Sequence, residues 1–269
     1  MDKVYAMYFS GTDKTKKITE FLANQLAESL NREKMVYDFT LPDARKGYPE
    51  FTKDDIVIFG TPVVAGRVPN VLLPYIKTIR GNGAAAVPVV LYGNRNYDDA
   101  LIELRDLLEA AEFRTLAAGA FIGEHSFSRI LAAGRPDHKD MKIAEYLAAK
   151  ITEKFNIWDG RHPVETKGET PYRYYYQPMD RYGNPIDIRK VKPKVNDRCT
   201  GCGVCVKLCP MGSISKEDVR QYTGICMKCN ACVKKCPNQA RYYDDEGYLY
   251  HKRELEEMYE RRAEPELFL

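Results

Sequence analysis

Cys199-Thr200-Gly201-Cys202-Gly203-Val204-Cys205-Val206-Lys207-Leu208-Cys209-Pro210 recurs 27 residues later as Cys226-Met227-Lys228-Cys229-Asn230-Ala231-Cys232-Val233-Lys234-Lys235-Cys236-Pro237. Both copies read C-x2-C-x2-C-x3-C-P, a bacterial spacing for four-iron clusters. The tight triple lets one loop offer three thiolates to three irons of a cube, while the intervening turn holds the fourth cysteine away. Pro210 and Pro237 lack an N–H and fix φ, which steers the chain off the cluster. A zinc ribbon uses two separated C-x2-C pairs, not a triple plus a fourth. Disulfides between such near neighbours would be strained, and the N-terminus reads without a signal peptide, which implies a reducing compartment. The eight cysteines are therefore read as ligands of two 4Fe-4S clusters. All eight lie between Cys199 and Cys236, so the metal module is self-contained.

Upstream of the module the pattern alternates between β and α periods. Val4–Phe9, Met35–Phe39, Ile56–Phe59, Val87–Tyr92 and Leu116–Ile122 are short β-forming runs. Thr15–Leu30 carries Ile18, Leu22, Leu26 and Leu30 at helical spacing, and Asp98–Phe113 carries Leu101, Leu104, Leu107 and Leu108. Val71–Ile79 and Asp137–Phe155 are further helix candidates. Strands alternating with helices predict an α/β, doubly wound, five-stranded parallel sheet in the order 2-1-3-4-5, with a ligand at the carboxyl ends of the strands.

The expected boundaries follow from composition. Residues 1–158 form the α/β domain, and 159–194 form an extended connector rich in proline and tyrosine, whose tyrosines pack on a domain surface. Residues 195–247 form a small α+β cluster domain, and 248–269 a charged helical tail with its helix over Glu254–Arg262. With 41 basic and 38 acidic residues the chain carries +3, which is no footprint for nucleic acid. Two oxidised four-iron sites would add about −2 each. No apolar run reaches the roughly 18 residues of a membrane-spanning helix.

Tyr8-Phe9-Ser10-Gly11-Thr12-Asp13-Lys14-Thr15 joins the first strand to the first helix. Its hydroxyls, and N–H groups at a helix start, make an anion cradle. No G-x4-G-K-[ST] is present, so this is not an ATP-type loop. Gly81–Ala86 imitates G-x-G-x-x-A but precedes a strand, so the dinucleotide reading fails on context.

The cradle, strand order and length resemble flavodoxin, and the cysteine runs resemble a two-cluster bacterial ferredoxin. The whole chain resembles the flavodoxin–ferredoxin fusion proteins of anaerobes. The flavodoxin resemblance implies FMN, with Ser10, Gly11, Thr12, Lys14 and Thr15 at its phosphate. It implies two ring-gripping loops, one with Thr61, Pro62, Val63, Val64, Ala65, Gly66 and Arg67, the other with Gly93, Asn94, Arg95 and Tyr97. His125 follows the fifth strand as a third contact. Asp13-Lys14 stands where the family has Gly-Asn, which places Asp13 beside the phosphate. Val64 stands where an aromatic often stacks, leaving Tyr97 as the main aromatic candidate. His138, His162 and His251 are expected at solvent. The ferredoxin resemblance implies crossed ligation: Cys199, Cys202, Cys205 and Cys236 for one cluster, and Cys226, Cys229, Cys232 and Cys209 for the other.

The expected function is a cytoplasmic electron-transfer flavoprotein that passes electrons between two 4Fe-4S clusters and FMN, with a redox protein as donor and another as acceptor. A small-molecule reductase acting on a quinone, enone or nitro compound at the flavin is the alternative; a redox sensor ranks last for want of an output domain. Transfer within one chain and transfer across a homodimer are both compatible with the sequence.

Overall fold

A computed structural model describes residues 2–269. β1 (Lys3–Tyr8) is buried from Val4 onward. It feeds α1 (Lys14–Ser29), whose Ile18, Leu22 and Leu26 face inward as their spacing requires. β2 (Glu33–Asp38) lies at the sheet edge, with exposed residues along much of its length. β3 (Ile56–Pro62) and β4 (Ala85–Tyr92) are central and almost wholly buried. Between them the expected helix is cut short: a 3-10 turn at Asn70–Leu72 gives way to one turn of α2 (Leu73–Ile76). Pro74, with no N–H, is tolerated only in a first helical turn, so the helix restarts around it.

α3 (Ala100–Ala110), β5 (Arg114–Thr115), β6 (Ala118–Ile122) and α4 (His138–Phe155) complete the layer structure. The strands run parallel in the order β2-β1-β3-β4-β6, and two-residue β5 pairs with the start of β4. The five full strands therefore take the expected order. α1 and α4 cover one face over Val4, Ile58, Val87 and Phe121. α2 and α3 cover the other over Phe9, Phe59, Val90 and Ile122. Runs buried on both faces demand such double cover.

Residues 159–193 form no helix or strand, as their prolines require. The segment is strapped along α3. Buried Asp99 accepts from Glu169 N at 3.0 Å and Arg173 N at 2.7 Å. Tyr172 Oη donates to Asp106 at 2.6 Å and Tyr175 Oη to the Val68 carbonyl at 2.8 Å, while Tyr174 is exposed.

β7 (Lys194–Val195) and β8 (Arg241–Tyr242) form an antiparallel pair that frames two one-turn helices, α5 (Val204–Lys207) and α6 (Ala231–Lys234). The C-terminal segment departs from expectation. Its helix, α7, spans Glu246–Met258 rather than Glu254–Arg262, because Asp245 caps it, accepting from Tyr248 N at 2.8 Å. Beyond it the chain returns to the first domain. β9 (Glu266–Phe268) pairs antiparallel with β6, with Ala118 opposite Phe268. Leu267 and Phe268 reach opposite core faces, as strand alternation dictates. The otherwise open edge of β6 is thereby covered.

Candidate functional site

The two cysteine runs share one backbone form. Gly201 and Gly203 have φ of 70°, and Lys228 and Asn230, 27 positions on, have φ of 57° and 60°. These left-handed turns curl each triple around a hollow before α5 or α6 begins. One hollow is lined by Cys209, Cys226, Cys229 and Cys232, with Tyr222 and Tyr243 in its wall. The other is lined by Cys199, Cys202, Cys205 and Cys236, with Arg241 and Val219. The fourth cysteine of each run thus faces the opposite run's triple. All eight thiols are free. Among the described residues no three His, Cys, Asp or Glu side chains converge to hold a single ion; the four sulfurs of each set instead surround a shared space.

Burial pushes the Cys226 thiol up and that of Cys229 to about 12. Thiolates there need a cationic centre to form at neutral pH, so metal loading would release protons. Donors already face the sulfurs: Ser213 N lies 3.4 Å from Cys209 Sγ, and Ala240 N 3.3 Å from Cys236 Sγ. The donor set and the hollows fit iron–sulfur clusters.

Ser10, Gly11, Thr12, Lys14 and Thr15 come together in the loop between β1 and α1. Ser10 N donates to Thr40 Oγ1 at 2.8 Å, and Ser10 Oγ accepts from Lys16 N at 3.1 Å. Among the described residues, the N–H groups of Gly11 through Thr15 donate to no protein acceptor. Asp13 adopts φ 65° and makes no helix-capping bond. Unpaired N–H groups at the start of a four-turn helix fit an anion such as a phosphate.

The cluster run sits on this loop. A Cβ added to Gly11 would lie 3.1 Å from Cys229 Cβ and 3.4 Å from its Sγ. Asp13 pairs with Lys235 at 2.7 Å. Neighbouring Lys234 reaches Glu124 and the His125 carbonyl, both at 2.6 Å. On the far side Arg45 donates to the Pro210 carbonyl at 2.5 Å. The acid beside the cradle is therefore already met by a cation of the cluster module, a pairing that the spacing of the cradle alone does not reveal.

The other two loops lie at the carboxyl ends of β3 and β4. Val63 N donates to the Leu91 carbonyl at 2.7 Å. Pro62, Val63, Val64 and Ala65 are half-buried, while Thr61 and Gly66 are buried. Ala65 and Gly66 have φ of 51° and 79°, and the backbone there closes on Asp98. Arg67 forms a two-pronged pair with Glu103 at 2.8 and 2.7 Å and lies against Tyr172 and Tyr175. Arg95 pairs with Asp98 and stacks 4.4 Å from the Tyr176 ring centre.

Asn94 is buried and clamps the C-terminal segment, donating to the Tyr259 and Arg261 carbonyls at 2.6 Å each and accepting from Ala263 N at 3.2 Å. Tyr97 does not present its ring at the strand ends, as the sequence suggested. It is 4% exposed, its ring tilts against Tyr92, and its hydroxyl donates to Glu266 at 3.0 Å. The strand that supplies Glu266 is invisible to local reading, so Tyr97 reads as free when it is not.

His125 closes over Gly93. Burial pushes its imidazole down to about 3, so it is neutral at pH 7. His251, expected at solvent, is buried, and burial lowers it to about 4; α7 carries it inward. His138 and His162 are exposed as expected. Sequence reading also passed over a run of aromatic contacts. Tyr243, in the wall of the first hollow, stacks on Tyr248 at 3.8 Å; Tyr248 meets Phe127 at 4.8 Å; Phe127 meets His125 at 5.3 Å. Helical spacing on α7 marks Tyr248 and His251 as one face, but not what that face covers.

Residues 198–241 match the family model of the 4Fe-4S dicluster domain. A search of curated proteins finds no match. Among solved structures, the chain is similar to a short-chain flavodoxin associated with a non-canonical PDU bacterial microcompartment. That pair is 12% identical over 57% of this chain and 98% of the other, with a TM-score of 0.40. Flavodoxin 1 from Bacillus cereus is 16% identical over 56% of this chain and 98% of its own, with a TM-score of 0.40. Rubredoxin oxygen:oxidoreductase from Desulfovibrio gigas is 16% identical over 58% of this chain and 37% of its own, with a TM-score of 0.42. The strand order by itself defines the flavodoxin-like class. The chain thus joins a flavodoxin-like α/β sheet to a 4Fe-4S dicluster domain, the composition of a flavodoxin–ferredoxin fusion. Among the described residues no helix is long and apolar enough to cross a membrane.

Proposed function

We propose that the protein is an iron–sulfur flavoprotein that transfers electrons between two 4Fe-4S clusters and FMN, and from there to a redox partner. In this reading Cys209, Cys226, Cys229 and Cys232 hold the inner cluster, and Cys199, Cys202, Cys205 and Cys236 the outer one. The cradle from Ser10 to Thr15 binds the FMN phosphate, and the loops at 61–67 and 93–95, with His125, border the ring. Clusters pass one electron at a time, and a flavin holds one or two. The observation that carries this reading is the contact of Gly11 with Cys229, which seats the inner cluster's ligand run against the cradle. Fusion and docking turn a bimolecular transfer into an intramolecular one at high effective concentration.

The connector and α7 lie across the strand-end loops, which favours transfer between fixed centres over entry of a small organic acceptor. Anaerobically purified protein is expected to contain about eight irons and one flavin per chain. Iron near eight with no bound flavin, before and after incubation with FMN, would sink the flavin half of the proposal.

The Asp13–Lys235 pair revises the expected repulsion at the cradle. With Lys235 in place the Asp13 carboxylate is already neutralised. Lys235→Ala leaves Asp13 unpaired beside it. Two like charges at roughly 6 Å repel by about 3 kcal/mol at an effective dielectric of 20. Asp13 is largely exposed, and screening cuts this to about 1 kcal/mol, near fivefold in affinity. Fluorescence titration of apoprotein should find FMN about fivefold weaker in Lys235→Ala and restored in Asp13→Asn/Lys235→Ala, with the difference shrinking in high salt. Equal affinities in all three proteins would place the phosphate away from this loop.

A further inference from the structure

Arg241 is 4% exposed. Its guanidinium donates to Tyr222 Oη at 2.8 Å, to the Val219 carbonyl at 2.5 Å and to Cys205 Sγ at 3.1 Å. Among the described residues no carboxylate meets it: Asp244, three residues on, is engaged by Lys194 at 2.8 Å. Burying a cation without an anion is costly. The groups within reach that become anionic on loading are thiolates: Cys205 of the outer hollow, which the guanidinium bonds directly and whose hollow Arg241 itself lines, and, without a hydrogen bond, Cys232 of the inner one. β8 holds the residue there, with Arg241 opposite Val195 of β7. Tyr222, which anchors the guanidinium, lines the inner hollow and donates to the Pro193 carbonyl at 2.7 Å. Arg241 thus stands between the two sites and hydrogen-bonds to a sulfur of only one.

We infer that Arg241 is a positioning residue that serves as counter-ion to the outer cluster and selectively raises its reduction potential. This rests on the cluster assignment proposed above. Reduction adds one negative charge to a cluster, and a fixed cation with an N–H directed at a ligand sulfur stabilises the more negative form. The inner site has the aromatic walls of Tyr222 and Tyr243, and its cation Lys228 donates to the Cys226 carbonyl at 3.2 Å rather than to a sulfur. The guanidinium therefore separates the two potentials and makes the outer, more accessible cluster the better electron sink of the pair.

The test is a redox titration of the full-length protein, followed by low-temperature electron paramagnetic resonance. Signals are assigned with Cys209→Ala, which disables the inner site. Arg241→Met should lower the reduction equilibrium constant of the outer cluster about tenfold, which is 59 mV for one electron, and move the inner one by less than a third of that. Arg241→Lys keeps the charge without the fork and should fall between. If Arg241→Met does not load, Arg241→Lys is judged by the same criterion. Iron and sulfide content of the same samples reports the cluster assignment separately. Equal shifts at both sites, or none at the outer one, would overturn the role of Arg241.

Discussion

Cys209→Ala is expected to cost the protein its inner cluster while sparing the outer one. Cys209 belongs by sequence to the first run, yet it faces the hollow that contains Cys226, Cys229 and Cys232. The replacement leaves three thiols there, while Cys199, Cys202, Cys205 and Cys236 stay together. Iron should fall from about eight per chain toward about four. The loss should spread to the cradle, because Cys229 packs on Gly11 and its run supplies Lys235 to Asp13. FMN affinity should therefore drop as well. Cys236→Ala provides the mirror experiment, removing the outer cluster and leaving the cradle contact intact. Spectra in which Cys209→Ala loses the Cys199–Cys205 site alone would defeat crossed ligation.

Truncation after Lys194 should abolish the stability of the α/β domain. By sequence the five-strand core is complete near Trp158, so the truncated chain reads as a self-sufficient domain. The structure reverses that expectation. Truncation strips β9 from β6 and removes three partners from Asn94, which is 2% exposed. It also removes the Ala263 carbonyl from Arg135, which is buried with Asp140 in a two-pronged ion pair, and leaves Tyr97 without Glu266. Each buried polar group left without a partner costs about 1–3 kcal/mol. Asn94 Nδ2, Asn94 Oδ1 and Tyr97 Oη are three such groups, and together they approach the roughly 5–15 kcal/mol that holds a whole domain folded. Circular dichroism should find residues 1–194 unfolded or melting far below the full chain. Joining residues 259–269 to that fragment through a short linker should restore most of the loss. A fragment that melts like the full protein would show that the returning segment contributes nothing.

The folding code of both halves is local and was legible. Ile18, Leu22 and Leu26 at steps of four make a one-sided helix wherever they stand, and the buried β runs can only be interior strands. The cysteine spacing carries its chemistry because three thiolates on one short loop form a single geometric unit. The failures share a cause. Neighbours in sequence do not reveal what Asp13, Tyr97 and Asn94 bind, because their partners, Lys235, Glu266 and Tyr259 to Ala263, lie more than 160 residues away. Arg241 looks like an ordinary strand residue until β8 turns it toward Cys205.

What the sequence determined by itself was the period of each element, the alternation of strands with helices and the eight thiols in two sets of spacing, since each depends on residues only a few positions apart. What only the tertiary structure decided was where the cluster module sits, that the C-terminal segment completes the first domain's sheet, and which buried charges are paired. Those outcomes depend on burying polar groups with partners brought together from distant parts of the chain. No local pattern records such a pairing, because the cost of leaving it unmade appears only once water has been excluded.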